Sequence, residues 1–409
     1  MKPQFRVLVL STLAFMLMFA VWLMFGILGH PIADSFHLSA SQVYWLGGVA
    51  VLMGAILRLP MGILTGRVGG RNVMVGLLLW TVLPCALVSY CQNYVQLLIC
   101  AAMLGIAGNS FSVGIAWNSA WFSRETQGTA MGTFGAGNVG ASIGKLLAPL
   151  LISVVPATGL LGGLIPGGWR ALPVIYAMLL VLMAALVFWA SPQPERLPGQ
   201  GRRLTDMVQP LKKLRVWRFG LYYIVVFGAY VALALWLPMY FQEVYGLKLA
   251  KAGLLTCLFI LPATLLQPLG GYLADRLGAR PLTIGMMLGL LLVCVPLSLN
   301  GTYLNLSLQN FTALIMLIGV SMGLGKAAVF RYIADYFPKD VGAVGGLVGT
   351  LGALGGFFMM PLFGLVEKHG HIRQSAFLVL GALTLCSLFW LASVVTELRR
   401  DERAARDAT

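Results

Sequence analysis

The sequence predicts an all-α membrane protein with twelve transmembrane helices in two pseudo-symmetric six-helix bundles. Three observations lead to this fold class: the apolar content, the long uncharged segments and an internal repeat. Hydrophobic residues make up 59% of the 409 residues and charged residues only 10%, which is more apolar surface than a water-soluble domain of this size can bury. Uncharged runs of about 20 residues can cross a bilayer as helices, and lipid excludes other open structures.

Hydropathy and turn signals predict each helix in turn. The first follows Lys2 and Arg6 as the core of a signal peptide would. It is longer than such a core and no small-residue cleavage site ends it, so we expect it to be retained. The twelve helices are predicted over residues 8–29, 42–66, 72–91, 94–120, 127–150, 172–190, 217–240, 252–275, 281–299, 308–335, 341–365 and 373–396.

The positive residues predict the topology of the chain. A net charge of +15 would suggest nucleic-acid binding in a soluble protein. Most of the 28 Lys and Arg residues instead fall in alternate loops, as in cytoplasmic segments of membrane proteins. We therefore expect a multi-pass protein of the cell inner membrane with both termini in the cytoplasm, in contact with lipids and not with nucleic acid. The loops predicted outside hold few cations: Arg170, Lys248, Lys251, Lys368 and Arg373.

A basic segment divides the chain. Residues 192–216 are rich in Pro, Gly, Lys and Arg and lack apolar periodicity, as expected for a cytoplasmic linker. We interpret its cations as determinants of topology and of contact with anionic lipids. The predicted organisation is an N-terminal six-helix half at 1–191, the linker at 192–216, a C-terminal half at 217–398 and a charged tail at 399–409.

An internal repeat supports this division. LRLPMGILTGRVGGR at 57–71 aligns with LQPLGGYLADRLGAR at 266–280, and a second match pairs the glycine runs at 137–149 and 349–361. The shared G-x3-(G/D)-R-x-G-x-R loop resembles the signature of the major facilitator superfamily. The resemblance implies the major facilitator fold, in which the substrate lies near the membrane midplane between two halves that rock to alternate access.

Four cations lie well inside predicted helices, away from the helix ends, whereas no Asp or Glu lies deep in any helix. A charge at mid-membrane costs about 2.5 to 3.5 kcal/mol, so it usually faces a partner or a wet cavity. Cations without carboxylates predict an anion as that partner. Arg58, near the middle of the second helix, is the first candidate, because its planar fork suits a planar oxyanion. Alternatively it snorkels or binds backbone carbonyls. The four are Arg58, Lys145, Lys326 and Arg331.

The other polar residues in helices allow more than one interpretation. Lys326 could be a second anion ligand, a titrating coupling residue or a structural cation. Arg331 is expected to pair with Asp335 four residues later, and Lys145 could snorkel. The glycine runs favour close helix contact, but Asn138 interrupts the first run with an amide that could bind a ligand.

Two glycine-rich segments narrow the resemblance further. GAGNVG at 135–140 and GTLGALGGFF at 349–358 resemble the signatures of the nitrate/nitrite porter family, and GKAAV at 325–329 is similar to its proton-coupled branch. In that family, arginines from helices two and eight clamp the anion between aromatic rings. The resemblance implies that Arg58 is the first arginine. It also implies binding roles for Asn138, Phe111, Tyr223 and Phe227.

The chain departs from the family at one position. The repeat places Gln267 opposite Arg58, where the family has its second arginine. Glutamine can hydrogen-bond an oxyanion but supplies no charge, so affinity, anion choice or coupling could differ. Our hypothesis is that Lys326 restores the lost charge.

These observations predict a secondary active transporter of nitrate and/or nitrite in nitrate assimilation, working by alternating access as a proton symporter or a nitrate/nitrite exchanger. No P-loop, nucleophile–base pair or metal-ligand spacing occurs, so we expect no enzyme activity, no cofactor and no metal. We expect a monomer. Two alternatives stay open: transport of another small inorganic or organic anion, and a transport-inactive membrane sensor or partner protein.

Overall fold

The structure, a computed structural model, describes residues 1–156, 158–159, 165–301, 303–370 and 373–407. The N-terminal half begins at Pro3. Short 3-10 turns at Ile106–Asn109 and Ala136–Val139 interrupt its fourth and fifth segments. Its helices are α1a (Pro3–Trp22), α1b (Met24–Phe36), α2a (Ala40–Ile56), α2b (Arg58–Val68), α3 (Gly70–Val88), α4a (Tyr94–Gly105), α4b (Ser110–Trp121), α5a (Gln127–Gly135), α5b (Gly140–Val154) and α6 (Ala171–Ala190).

The C-terminal half follows the linker. A π-helical turn, Ile224–Gly228, interrupts its first segment. The helices are α7a (Leu214–Tyr223), α7b (Ala229–Tyr245), α8a (Leu249–Leu265), α8b (Gln267–Leu277), α9 (Ala279–Ser298), α10 (Leu308–Tyr336), α11 (Val341–Gly370) and α12 (Ser375–Asp407). The predicted all-α fold of two six-helix halves is confirmed.

Two predicted helix ends differ most from the structure. The first segment continues as α1b to Phe36 after a break at Leu23. The last helix continues to Asp407, well beyond residue 396, because the Glu, Arg and Ala residues there are good helix formers. Within the described ranges, nine helices are long and apolar enough to cross a membrane. The bent pairs α2a–α2b and α8a–α8b raise this number to eleven.

The repeat appears as the same backbone geometry in both halves. α2 bends by 44° after Leu57 and α8 by 40° after Leu266. Each b helix then ends at a glycine with positive φ, 98° at Gly69 and 89° at Gly278, which a residue with a side chain would rarely adopt. Arg58 and Gln267 are therefore structurally equivalent, each being the first residue after a bend.

Glycines bring the two halves into backbone contact at one end of the bundle. A Cβ at Gly62 in α2b would collide with the carbonyl of Gly342 in α11, and one at Gly271 in α8b would collide with that of Gly128 in α5a. Small residues allow such close helix approach in membrane proteins. We call this the basic end, because the linker and the α2–α3 and α8–α9 loops, which are rich in Lys and Arg, lie there. Its two seams, α2b–α11 and α8b–α5a, are closed.

Candidate functional site

Arg58 lies at the bend of α2 and is 1% exposed. Its Nε donates to the carbonyl oxygen of Gly54 at 3.2 Å, and its Nη1 donates to that of Gly349 in α11 at 2.9 Å. A Cβ at Gly349 would lie 3.3 Å from the Arg58 side chain. The glycine in the α11 signature therefore makes room for the guanidinium, which joins the two halves.

Aromatic rings surround this guanidinium. The Cζ atom of Arg58 lies 5.5 Å from the ring centroid of Trp22, 5.4 Å from that of Phe111 and 5.6 Å from that of Phe227. Such cation–π contacts hold a cation in place without neutralising it. The sequence did not single out Trp22, whose indole Nε1 donates to Ala50 at 2.9 Å.

The three predicted aromatic residues form one stack. The rings of Tyr223 and Phe227 lie 5.0 Å apart and 8° from parallel, and Phe111 lies 6.4 Å from Phe227 at 11°. Phe227 lies within the π-helical turn that follows Tyr223, and the two rings stack on one side of α7. Such turns are frequent at functional sites. Phe330, which sequence reasoning missed, packs its ring edge-on to Phe111 at 5.3 Å and to Tyr223 at 5.0 Å.

Gln267 occupies the position equivalent to Arg58 and is buried. Its Nε2 donates to the carbonyl of Thr264 at 3.3 Å and lies 3.5 Å from that of Ala263. Its Oε1 lies against Gly135, where a Cβ would collide with it. Gln267 thus contacts the end of α5a, one turn before Asn138.

Lys326 from α10 reaches the same part of the molecule and is 1% exposed. Its Nζ donates to the carbonyl of Ala263 at 3.0 Å, lies 3.3 Å from the ring centroid of Tyr230 and lies 5.8 Å from that of Phe227. The Tyr230 hydroxyl is 3.2 Å from that of Thr264. Sequence reasoning missed Tyr230, although its spacing of three residues from Phe227 places it on the same face of α7.

Asn138 lies in the 3-10 turn between α5a and α5b and is buried. Neither its Oδ1 nor its Nδ2 has a hydrogen-bond partner in the described part of the chain. A buried amide without hydrogen-bond partners lowers the stability of the fold, which indicates that a ligand or water binds it. Its counterpart in the repeat, Thr350, donates instead to Ala55 at 2.9 Å or Gly346 at 3.0 Å.

The other intramembrane cations differ from Arg58 and Lys326. Arg331 pairs with Asp335 at 3.3 Å, as predicted, and also with Asp275 of α8b at 3.0 Å. Arg58 and Lys326 form no ion pair with any residue that the structure describes. The side chain of Lys145 lies outside the described part of the chain.

The geometry suits a small planar anion. A buried guanidinium and a buried amine, neither of which pairs with a carboxylate among the described residues, lie beside stacked aromatic rings. A few convergent polar groups within apolar walls are typical of small-molecule sites, and guanidinium binds oxyanions through charge-assisted hydrogen bonds.

A family model described as the Major Facilitator Superfamily matches residues 10–256 and again residues 249–408. The chain belongs to the Major Facilitator Superfamily. It is therefore a membrane transporter and not an enzyme. Solved structures share the fold: the transporter FucP in the outward conformation has a TM-score of 0.75 at 16% identity, covering 95% of this chain and 98% of that one. The human organic anion transporter MFSD10 has a TM-score of 0.73 at 18% identity, covering 96% and 100%.

Curated relatives match along nearly the whole chain. It is 53% identical to a probable nitrate/nitrite antiporter, NarK1, of Thermus thermophilus, over 98% of this chain and 93% of the relative. It is 28% identical to the nitrite extrusion protein of Bacillus subtilis, over 97% of both chains. A probable nitrate transporter, NarT, of Staphylococcus epidermidis is 28% identical over 99% of both. The predicted membership in the nitrate/nitrite porter family is confirmed.

Proposed function

We propose that this superfamily member is a secondary active transporter of nitrate and nitrite across the cell inner membrane, working by alternating access. The observation that carries the proposal is the buried Arg58 guanidinium, which has aromatic walls and no carboxylate partner among the described residues. The names of the relatives favour these two anions over other small anions and over a sensor without transport.

In this proposal the anion binds between Arg58 and a second polar group on the C-terminal half. Arg58 releases its hydrogen bond to the carbonyl of Gly349 and donates to the anion in its place. Both halves of the protein then contact the anion. Gln267 and Lys326 form the second group, with the amide of Asn138 as a further donor. The rings of Phe111, Tyr223 and Phe227 exclude water beside the anion, which strengthens each electrostatic contact.

Lys326 supplies the charge that Gln267 lacks. Its Nζ lies 3.0 Å from the carbonyl of Ala263, beside the Gln267 amide. An ammonium at this place acts as a point charge, whereas an arginine would bind in a fixed plane. The site therefore keeps two positive charges but holds the anion less rigidly on the C-terminal side.

We propose exchange of nitrate for nitrite as the coupling mode. Two buried cations with no fixed counter-charge among the described residues make reorientation of the empty carrier costly, because an uncompensated charge in the membrane is unfavourable. A bound anion on each crossing reduces that cost. The titratable amine of Lys326 favours a second candidate, symport of the anion with protons, since a lysine can release its proton where an arginine cannot.

The basic end faces the cytoplasm in this proposal. The linker and the α2–α3 loop lie there with Arg67, Arg71, Arg202 and Arg203, and cationic loops stay on the cytoplasmic side of membranes. Both termini then lie in the cytoplasm, and the protein works as a monomer.

Proteoliposomes test the function directly. Vesicles loaded with nitrite, with nitrate or with neither receive labelled nitrate outside, with and without an imposed pH gradient. Exchange predicts uptake only where an anion is inside, and proton symport predicts uptake into empty vesicles when the outside is acidic. The absence of flux under every gradient, with folded protein in the membrane, would contradict the proposed function.

A further inference from the structure

The linker between the halves packs along α2b at the basic end. The backbone N–H of Gly199 donates to the carbonyl of Gly66 at 2.9 Å. The Nη2 of Arg67 donates to the carbonyl of Arg202 at 2.8 Å. Gly199 is buried, so this segment is docked on the N-terminal half.

Arg202 extends the contact to the C-terminal half. Its Nη1 lies 2.7 Å from the Oδ1 of Asp340 and donates to the carbonyl of Lys339 at 3.0 Å. Asp340 immediately precedes α11. One linker residue therefore joins α2b, through its carbonyl, to the start of α11, through its guanidinium.

Met207 fills the same seam with an apolar side chain. It is 4% exposed and packs with Ile63 of α2b and Ala343 of α11 in a cluster separate from the main core. Gly62 and Gly342, each one residue away from these partners, make the backbone contact between the two helices. The linker thus covers the α2b–α11 seam at the basic end.

The second seam is held in a different way. In α8b, the carboxylate of Asp275 accepts hydrogen bonds from the backbone N–H of Gly128 at 2.9 Å and of Thr129 at 2.7 Å. A carboxylate at a helix N-terminus is stabilising, and here it ties α8b to α5a across the two halves. The repeat places Gly66 at the position of Asp275, so α2b has no carboxylate to offer to α11.

The linker occupies the place of that carboxylate. A Cβ at Gly66 would lie 3.5 Å from Met207 and 3.8 Å from Gly199, which are the linker residues that dock on it. The charges are also arranged differently in the two seams. In the α8b–α5a seam the carboxylate comes from the b helix. In the α2b–α11 seam it belongs to Asp340 at the start of α11, and its partner, Arg202, comes from the linker.

We propose that the linker holds α2b and α11 together at their seam. It takes the role of the seam carboxylate that the N-terminal repeat lacks. The basic end opens only when Arg202 and Met207 leave this seam. Contacts of the linker therefore set the balance between the conformation with a closed basic end and the one with an open basic end. The linker is a gating element as well as a connection.

Distances between spin labels across the basic end test whether the linker keeps this end closed. Both labels go on exposed positions, Asn72 at the start of α3 and Leu277 at the end of α8b, in a full-length variant without the six native cysteines. Pulsed electron resonance in lipid nanodiscs then gives the ratio of long to short distances. We expect Arg202→Ala to raise this ratio about five-fold, the factor for losing a partly buried ion pair.

Two further variants and a matched control make the test decisive. Met207→Ala removes the apolar contact with the seam. Gly199→Val displaces Met207, because a Cβ at Gly199 would lie 2.8 Å from it. Both variants should raise the ratio of long to short distances. Arg203→Ala removes the same charge from the neighbouring exposed residue and should leave it unchanged. The proposal is overturned if Arg202→Ala and Met207→Ala, folded by size exclusion, match Arg203→Ala. No anion is needed, so the outcome is independent of the proposed substrate.

Discussion

Lys326 and Gln267 approach the same backbone oxygen, the carbonyl of Ala263. The Nζ of Lys326 donates to it at 3.0 Å, whereas the Nε2 of Gln267 lies at 3.5 Å. In the other half, Arg58 makes the equivalent contact by itself, donating from Nε to Gly54 four residues earlier at 3.2 Å. A cation therefore stands at the bend of both α2 and α8, but in α8 it comes from a different helix.

Lys326→Met should raise the KM for nitrate by about 10- to 100-fold, since a hydrogen bond to a charged group is worth about 1.5 to 3 kcal/mol. The methionine keeps a similar volume, so the fold should persist. Initial rates of nitrate/nitrite exchange at varied nitrate concentration measure this effect. Lys251→Met removes a lysine from an exposed position at the start of α8a and should leave the KM unchanged.

The double variant Lys326→Met with Gln267→Arg tests whether the charge or the lysine itself matters. If Lys326 compensates for Gln267, the new arginine should restore most of the affinity that Lys326→Met loses. Gln267→Arg alone adds a cation next to Lys326 and should destabilise the protein. A double variant as weak as Lys326→Met would contradict the compensation.

Arg58→Lys should raise the KM by about ten-fold or more while keeping the charge. Lysine cannot reach Gly54 and Gly349 together in one plane as the guanidinium does, and it offers an oxyanion only a point charge. Anion-dependent thermal stabilisation of the purified protein measures affinity without transport. Equal stabilisation of Arg58→Lys and the unchanged protein by nitrate would exclude Arg58 as a ligand.

Much of the fold could be predicted from the sequence, because lipid imposes long apolar helices and the repeat fixes their order. The bends after Leu57 and Leu266 could not be located by hydropathy, which does not change where the helix axis does. The long-range ion pair of Arg331 also could not be predicted from the sequence. The sequence shows Asp335 four residues away, but the closer carboxylate, on Asp275, comes from another helix.

The candidate site was predictable where a residue is chemically conspicuous. Arg58 and Lys326 stand out as charges in apolar helices. Trp22 and Tyr230, which contact these cations, do not stand out, because aromatic residues are common in membrane helices. The docking of Arg202 on α11 was also not predictable, since the sequence shows a basic linker but not that Arg202 lies beside Asp340 at the start of α11.

Asn138→Ala should stabilise the protein and weaken transport. The buried amide has no partner in the described chain, and such a group costs about 1 to 3 kcal/mol. Its removal should raise the thermal midpoint in detergent without anion, while the KM for nitrate rises. Thr350→Ala is the matched control in the repeat. Thr350 has its hydroxyl satisfied by Ala55 or Gly346, so this variant should lower the midpoint. A lower midpoint for Asn138→Ala would indicate a structural role.

Glu195 lies in the part of the linker that caps α3. Its Oε2 accepts a hydrogen bond from the backbone N–H of Arg71 at 3.4 Å. Burial of the carboxyl raises the pKa of Glu195 above its ordinary value, against the lowering effect of the backbone donors. The folded protein therefore holds this proton more tightly than the unfolded chain does. The resulting stability is fully present below the ordinary pKa and is lost as the pH rises through the folded pKa.

Glu195→Gln should abolish this pH dependence, because glutamine stays neutral throughout. Thermal midpoints from pH 4 to pH 8 measure it: the unchanged protein should lose stability relative to the variant as the pH rises. Glu125 is the matched control, since a hydrogen bond from Ser123 is the main cause that lowers its pKa in an exposed loop. Its contribution is present above the ordinary pKa and is lost as the pH falls, so Glu125→Gln should change the profile in the opposite sense. Parallel profiles for Glu195→Gln and the unchanged protein would show that folding leaves the pKa of this carboxyl unchanged, which would contradict the prediction.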